Sequence, residues 1–148
     1  VAVEVRILKS DDAHVLEQVA PNVFDNAVDP QLSAEFLADP RHHLAVALDA
    51  DIVIAMASAV HYVHPDKPAE LWINEVGVAP EYQRKGIGRR LLEALFAIGR
   101  EQGCRQAWVG TEHDNAAAQG LYAAASGKPE PFVMYSFQLL ENQNKAPG

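Results

Sequence analysis

The sequence predicts one α/β domain over residues 1–148, a mixed central sheet of about six to seven strands flanked by about four helices. Three observations carry this. Period-two apolar runs fill the first half, and a strand–helix–strand–helix–strand order fills the second. A basic, glycine-bearing loop stands between an apolar strand and the longest amphipathic stretch. Finally, 148 residues with 49% hydrophobic and 22% charged composition is room for one globular domain, with no repeat, linker or low-complexity segment to divide it.

The elements follow in order. Val3–Lys9 alternates Val3, Val5 and Ile7 with charges, as a half-buried strand does. Ser10 offers an N-cap for a short helix over about residues 11–20, which Pro21 ends. Asp29-Pro30 pairs a cap with a first-turn proline and opens a second helix, with Leu32, Phe36 and Leu37 on one face and Pro40 closing it. His43–Leu48 and Ile52–Tyr62 read as a hairpin joined by Asp49-Ala50-Asp51. After a polar loop, His64-Pro65-Asp66-Lys67-Pro68, Leu71–Val78 is a strand in which Gly77 marks a bulge or a close backbone approach. Ile87, Leu91, Leu95 and Ile98 recur at three and four and define a helix from Gly86 to about Gln102, ended by Gly103. Gln106–Gly110 is a short strand, Asn115–Ala125 an alanine-rich helix, and Pro131–Leu140 a last strand carrying Phe132, Val133, Met134 and Phe137. The polar tail after Glu141 is expected to fray.

Composition excludes several classes. The single cysteine, Cys104, rules out an intramolecular disulfide and a Cys-x-x-Cys zinc site, which fits a reducing cytoplasm. No apolar run is long enough to span a bilayer, and the first residues lack the pattern of an export signal. The net charge of −8 is unevenly spread. Residues 1–75 hold thirteen Asp/Glu against four Lys/Arg, and residues 76–148 hold seven against eight, so the halves carry −9 and +1. Nucleic acid needs cations over a long surface and is excluded as a partner. A single polyphosphate needs only a small cationic pocket, and Arg84, Lys85, Arg89 and Arg90 cluster within seven residues.

That cluster surrounds Gln83-Arg84-Lys85-Gly86-Ile87-Gly88, after a strand and at the start of the long helix. A helix N-terminus offers unpaired N–H donors and the positive end of a dipole, and two glycines let a bulky anion lie against the backbone. No Gly-Lys-Ser/Thr follows, so this is not a Walker loop, and Leu91 stands where a dinucleotide fingerprint needs its third glycine.

Gln83-x-x-Gly86-x-Gly88 resembles the Arg/Gln-x-x-Gly-x-Gly/Ala signature of the GCN5-related N-acetyltransferases, whose loop binds the pyrophosphate of acetyl-CoA. Asn74–Tyr82 is similar to that family's fourth strand running into the loop, and Asn115-x-x-Ala118-x-x-Leu121-Tyr122 to its Asn-x-x-Ala-x-x-Leu-Tyr helix. The resemblance covers about residues 3–140. One departure is the stretch after Tyr122, Ala-Ala-Ala-Ser-Gly-Lys, where the family usually has Tyr-x-x-x-Gly-Phe. The resemblance implies acetyl-CoA as cosubstrate, with Val76 and Val78 of the strand, Gln83, Arg84, Lys85, Gly86, Ile87, Gly88 and Arg89 of the loop, and Asn115 in contact with it. Asn115 also has the plain role of a helix cap.

Glu75 is the candidate general base, a carboxylate in an otherwise apolar strand where partial burial raises its pKa toward a useful value. The alternative is a carboxylate on the solvent face of that strand, or one pairing with an arginine, with Glu112, His113 and Asp114 as substitute bases. Tyr122 is the candidate acid for the departing thiolate; its plain reading is a packed helix aromatic. His61-x-x-His64 with Asp66 invites a metal reading, but residues three apart on a strand point to opposite faces, and no metal is expected. His14, His42 and His43 read as surface or satisfied residues, and Cys104 as a small buried thiol.

For the acceptor, residues 22–39 carry Asp25, Asp29, Glu35 and Asp39 and no Lys or Arg. An acidic wall, with Asp25, Asp29, Glu35 and Asp114 as candidate contacts, concentrates a small polycation; the plain alternative is a solubilising surface. Tyr62–Pro65 together with Glu70–Val78 resembles the corresponding stretch of small aminoglycoside 3-N-acetyltransferases, which implies an aminoglycoside acceptor and antibiotic resistance. A homodimer is the expected assembly. The other readings are a polyamine or protein/peptide N-acetyltransferase, and a noncatalytic CoA-binding module that would have no use for both Glu75 and Tyr122.

Overall fold

The computed structural model of the chain describes residues 2–141. Its sheet runs β1 (Glu4–Ile7), β2 (His42–Asp49), β3 (Ile52–Tyr62), β4 (Glu70–Val78) and β5 (Ala107–Val109) in that spatial order. The first four strands are antiparallel and β5 lies parallel to β4, as a strand–helix–strand crossover requires. The helices are α1 (Pro30–Ala38), α2 (Ile87–Glu101) and α3 (Ala116–Ala124), with short 3-10 turns at Ala13–Glu17 and Pro80–Tyr82.

Local chemistry accounts for most boundaries. Ala50 and Asp51 both take positive φ, 48° and 67°, which makes a two-residue turn of the kind that matches strand twist. The Asp29 carboxylate accepts from the N–H groups of Gln31 and Leu32 at 2.8 and 3.0 Å and starts α1. Asn115 accepts from the Ala118 N–H at 3.0 Å and starts α3. At the other end of α3, the N–H groups of Ser126 and Gly127 donate to the carbonyls of Ala123 and Tyr122, both at 2.9 Å. This is a Schellman closure, and Ser126 at φ 69° occupies its left-handed position, usually a glycine. Gly127 stands one residue later, where a Cβ would lie 2.9 Å from the Tyr122 carbonyl oxygen. The residues after Tyr122 thus close the helix by a different assignment of the same turn.

The sheet separates two cores. On one face Ile87, Leu91, Leu92 and Leu95 of α2 pack on Ala45, Ala57, Leu71 and Ile73. On the other, Leu16, Val23 and Leu37 cover Leu44, Val46 and Met56. His43 and His61 are both buried and share a hydrogen bond of 2.8 Å. Burial holds the His43 imidazole down to about 4, with His61 beside it adding to the effect, so His43 is neutral near pH 7. Across the other face, Tyr62, Trp72 and Trp108 stack in a row at 6.0 and 5.0 Å between centroids and tie the three-residue β5 to its neighbours.

Two expected elements differ, so the sheet has five strands rather than six or seven, and three α-helices stand where about four are expected, among the described residues. The helix expected over 11–20 is a single 3-10 turn, because Val19 forms a bridge with Val53 and Ala20 donates to the Val53 carbonyl. Backbone groups given to the sheet cannot also continue a helix. The strand expected over 131–140 does not form. Its apolar residues run from 68% exposed at Phe132 to 90% at Leu139. Pro129 and Pro131 remove two donors at its start, and β5 offers only a three-residue edge to pair with. Within α1, Leu37 is buried as expected but Leu32 is 64% exposed, so the apolar face is narrower than its sequence spacing implies. The tail after Glu141 lies outside the described residues.

Candidate active site

Glu75 owes its setting to an irregularity in β4. Ser58 pairs with Glu75 but the next residue, Ala59, pairs with Ile73, so Asn74 is the extra residue of a bulge and Glu75 is turned to the Ser58 face. The bulge stands three residues before the glycine expected to mark it. Gly77 serves instead as a site of close backbone approach: a Cβ there would lie 2.0 Å from the carbonyl oxygen of Val23. The segment crossing at Val23 is fixed upstream by the Val19–Val53 bridge and downstream by the cap of α1. It carries Asp25 over β4.

The result is a cavity of about 310 Å³ lined by Phe24, Asp25, Asp29, Phe36, Ser58 and Glu75 among others, with no Lys or Arg in its wall. Glu75 is half-buried, and its pKa is raised first by that burial, then by a hydrogen bond to the Asp25 carboxyl and by the charge of Asp25. A carboxyl of this kind suits the uptake of a proton from an ammonium near neutral pH. Of the other acids expected to face an acceptor, Asp29 reaches the cavity but spends one oxygen on the α1 cap, while Glu35 and Asp114 do not line it. Asp39 is engaged by Arg41 at 3.3 Å.

The basic, glycine-bearing loop lies at the far end of β4. Gln83 donates to the Val78 carbonyl at 3.0 Å and anchors the loop, and Arg84 and Gly86 take φ of 61° and 78°. No side chain caps α2, so the first N–H groups of the helix, at Ile87, Gly88 and Arg89, remain available as donors. Nothing lies within 4 Å of a Cβ built on Gly86, which leaves room for a phosphate against the backbone. Gly88 has another reason to be small, since a Cβ there would sit 3.1 Å from Leu121 of α3. Arg84, Lys85 and Arg89 are exposed around this cradle, whereas Arg90 donates to the Val3 carbonyl at 2.9 Å. This donor set fits a pyrophosphate.

Between loop and cavity the sheet opens. β4 and β5 pair only through Leu71–Ala107, Trp72–Trp108 and Ile73–Val109, and β4 continues to Val78 with no β5 residue opposite. Val76 and Val78 border that gap, so backbone groups there are free to pair with an extended amide-bearing chain. Tyr122 packs with the α2-side core, half-buried, and burial raises its phenol pKa. Glu75 is turned to the opposite side of the sheet, with Ser58.

The remaining candidates are placed elsewhere. Glu112, His113 and Asp114 are exposed in the turn before α3. His61 is bound to His43, and His64 lies 3.9 Å from Glu70; among the described residues no three His, Cys, Asp or Glu side chains converge on one point. Burial raises the pKa of the Cys104 thiol, which disfavours the nucleophilic thiolate. A larger cavity of about 650 Å³ beside Lys85 and Arg90 has mixed charge, and its Asp49 is hydrogen-bonded to Tyr82. Ser58, Phe24 and Phe36 are cavity residues that sequence reasoning passed over. Ser58 had a signal, as a lone serine in the apolar run Ile52–Val60.

The chain matches the acetyltransferase (GNAT) family over residues 11–127. It is 28% identical over 114 residues to an uncharacterized N-acetyltransferase of Mycobacterium tuberculosis, covering 74% of this chain and 70% of that protein. It is 33% identical over 97 residues to the N-alpha-acetyltransferase RimI of the same species, covering 64% and 59%. Two solved structures share the fold at low identity. An aminoglycoside acetyltransferase from an uncultured soil metagenomic sample has a TM-score of 0.80 at 18% identity, covering 94% of this chain and 97% of that one. The aminoglycoside N-acetyltransferase AAC(6′)-Iy in complex with CoA has a TM-score of 0.75 at 19% identity, covering 94% and 96%. With the phosphate cradle, the open sheet and a match spanning most of its length, the chain belongs to the GNAT family of acetyl-CoA-dependent N-acetyltransferases.

Proposed function

We propose that the protein transfers the acetyl group of acetyl-CoA to a primary amine of a small polycationic acceptor, an aminoglycoside before a linear polyamine. The observation that carries this is the cavity over Glu75: carboxylates and aromatic rings line it, and no Lys or Arg opposes a cation entering it. The two aminoglycoside acetyltransferases of like fold and the resemblance of residues 62–78 to 3-N-acetyltransferases support the same acceptor class. A peptide N-terminus, the acceptor type that the name of RimI indicates, is the second reading, favoured by the 33% identity over 97 residues.

Bound acetyl-CoA supplies a thioester carbonyl activated for attack. The residues of this chain do the rest. Asp25 and Glu75 hold the acceptor ammonium and Glu75 takes its proton; the neutral amine attacks the carbonyl carbon, the C–S bond breaks, the thiolate takes a proton from Tyr122, and the second proton shed by the acylated nitrogen returns to the tyrosinate through solvent. Backbone N–H groups of β4 that point away from β3 near Val76 and Gly77 are placed to donate to the developing oxyanion. Val76, Val78, Asn115 and residues 83–89 hold the cosubstrate. A thiol-release screen with acetyl-CoA against aminoglycosides, polyamines, amino acids and peptides tests the proposal, with product NMR locating the acetylated amine. Turnover of a neutral peptide in preference to every polycation would overturn the acceptor class and leave the acetyltransferase standing.

A further inference from the structure

The cavity over Glu75 holds about 310 Å³, at the small end of the range of about 300–1,000 Å³ that ligand pockets span. A polycation of three linked rings outgrows it, so part of such an acceptor must lie outside. The ways out are few. Along the strands in one direction the segment at Val23 sits directly on Gly77, and over β2 the helix α1 covers Leu44 with Leu37. In the other direction Val60, Tyr62 and Trp72 are only half-buried, and Trp108 is 43% exposed.

The strand register places those residues beside the cavity. Ser58 pairs with Glu75, and Val60 and Trp72 form the next pair on the same face, since Ala59 and Ile73 between them belong to the α2-side core. At the usual strand rise, Val60 stands roughly 7 Å from Ser58. Across the strands the rings lie near-parallel, Tyr62 to Trp72 at 17° and Trp72 to Trp108 at 14°. Because β5 ends the sheet, the outer face of the Trp108 ring meets no further strand among the described residues. Glu70 pairs with Tyr62, alternates onto the face of Trp72 and is partly exposed, with His64 at 3.9 Å. Arg41, at the near end of β2, is held by Asp39. An electron-rich aromatic row with a carboxylate at its end, continuous with an acidic cavity, complements the charge of a polycation.

We propose that Tyr62, Trp72 and Trp108 form an outer acceptor subsite, which holds the ammonium-bearing part of the polycation beyond the ring being acetylated. This rests on the acceptor class proposed above and deepens it. The cavity receives the reacting amine, and the aromatic row selects for a second cationic ring by cation–π contact and apolar packing. Glu70 lies five residues from Glu75 along β4, a span of roughly 15 Å at the usual rise, which is the reach of an acceptor of several rings.

The first test compares kcat/KM, by thiol release from acetyl-CoA, for sisomicin with its three linked rings and for 2-deoxystreptamine with its single ring. In Trp108→Ala the ratio of the two should fall about 3- to 30-fold, the effect of one cation held over a tryptophan, and Trp108→Phe should recover part of it. Glu70→Gln should lower the same ratio. If the rings only fasten β5 to the sheet, Trp108→Ala lowers both values alike and leaves the ratio where it was, which overturns the proposal. A second measurement needs no variant. Trp72 and Trp108 are the only tryptophans of the chain, so tryptophan emission of the unsubstituted protein reports this row directly. Sisomicin should shift that emission saturably without acetyl-CoA, and 2-deoxystreptamine should not. No shift at sisomicin concentrations that saturate turnover overturns the outer subsite and leaves the acetyltransferase reading standing. A saturable shift with no thiol release from any amine keeps the row as a polycation site and removes the acceptor reading instead. Emission that changes with protein concentration alone would place a second copy of the chain over the row and overturn the proposal.

Discussion

Glu75 has a half-buried side chain, and its reactivity and its cost to stability have the same origin. As the proposed base it must be unprotonated, so kcat/KM should rise with pH through a limb above the usual carboxylate range. Glu75→Gln should lower kcat/KM by roughly 10²–10⁴ and abolish that limb, as steady-state profiles would show. The same raised pKa means that the folded chain binds more protons than the unfolded chain in the window above the ordinary Glu value. Stability therefore falls as pH rises through that window, and Glu75→Gln should remove this part of the slope in thermal melts. At the other end of β4, the phosphate site proposed for the loop rests on backbone donors. Gly86→Asp places a carboxylate in the cradle and forces a side chain to φ 78°, so calorimetry should show a large loss of acetyl-CoA affinity. Arg90→Ala should matter less, since Arg90 already spends a donor on the Val3 carbonyl. The opposite ranking would mean that side chains rather than the helix N-terminus hold the anion.

At the scale of elements, the site depends on a loop lying directly on a strand. Gly77→Ala would drive a methyl to 2.0 Å from the Val23 carbonyl oxygen, so the loop must lift and carry Asp25 away from Glu75. The expected result is a destabilisation of about 1–3 kcal/mol in chemical denaturation, together with a raised acceptor KM. The sequence marks Gly77 as a place of bulge or close approach, but choosing between these takes a partner, Val23, more than fifty residues away. The same division holds elsewhere. Elements written by local chemistry, the hairpin at Ala50-Asp51, the Asp29 and Asn115 caps and the Ile87–Leu95 face, are legible from the chain. Where tertiary pairing competes, they are not: the turn at Ala13–Glu17 yields its helix to the Val19–Val53 bridge, and residues 131–140 have a strand's composition with no ladder to join. Asp25 and Glu75 are each legible as acids of interest. Their meeting in one cavity is not, because it exists only once the loop has folded onto β4.

Over the whole molecule, charge is divided along the chain, −9 over residues 1–75 and +1 over residues 76–148. The first part brings Asp25 and Glu75 to the cavity, and the second brings the cationic loop. Steering of a polycation by such a field is screened over about 8–10 Å at moderate salt, so kcat/KM for a true polycationic acceptor should fall as salt rises. Replacing Asp25, Asp29, Glu35 and Asp39 by their amides should flatten that dependence and leave acetyl-CoA affinity nearly unchanged. An unchanged salt slope in that variant would assign the acids to solvation alone. The two binding regions also differ in what holds them together. The loop over Glu75 is stitched to the sheet at Val19–Val53, at Val23–Gly77 and at the α1 cap, all contacts within the chain. If the cavity over Glu75 is the acceptor pocket, it is assembled by the protein's own backbone and has no need of a cosubstrate to build it. Initial-rate patterns should accordingly be those of random addition, with either substrate entering first and each saturating the enzyme in the absence of the other.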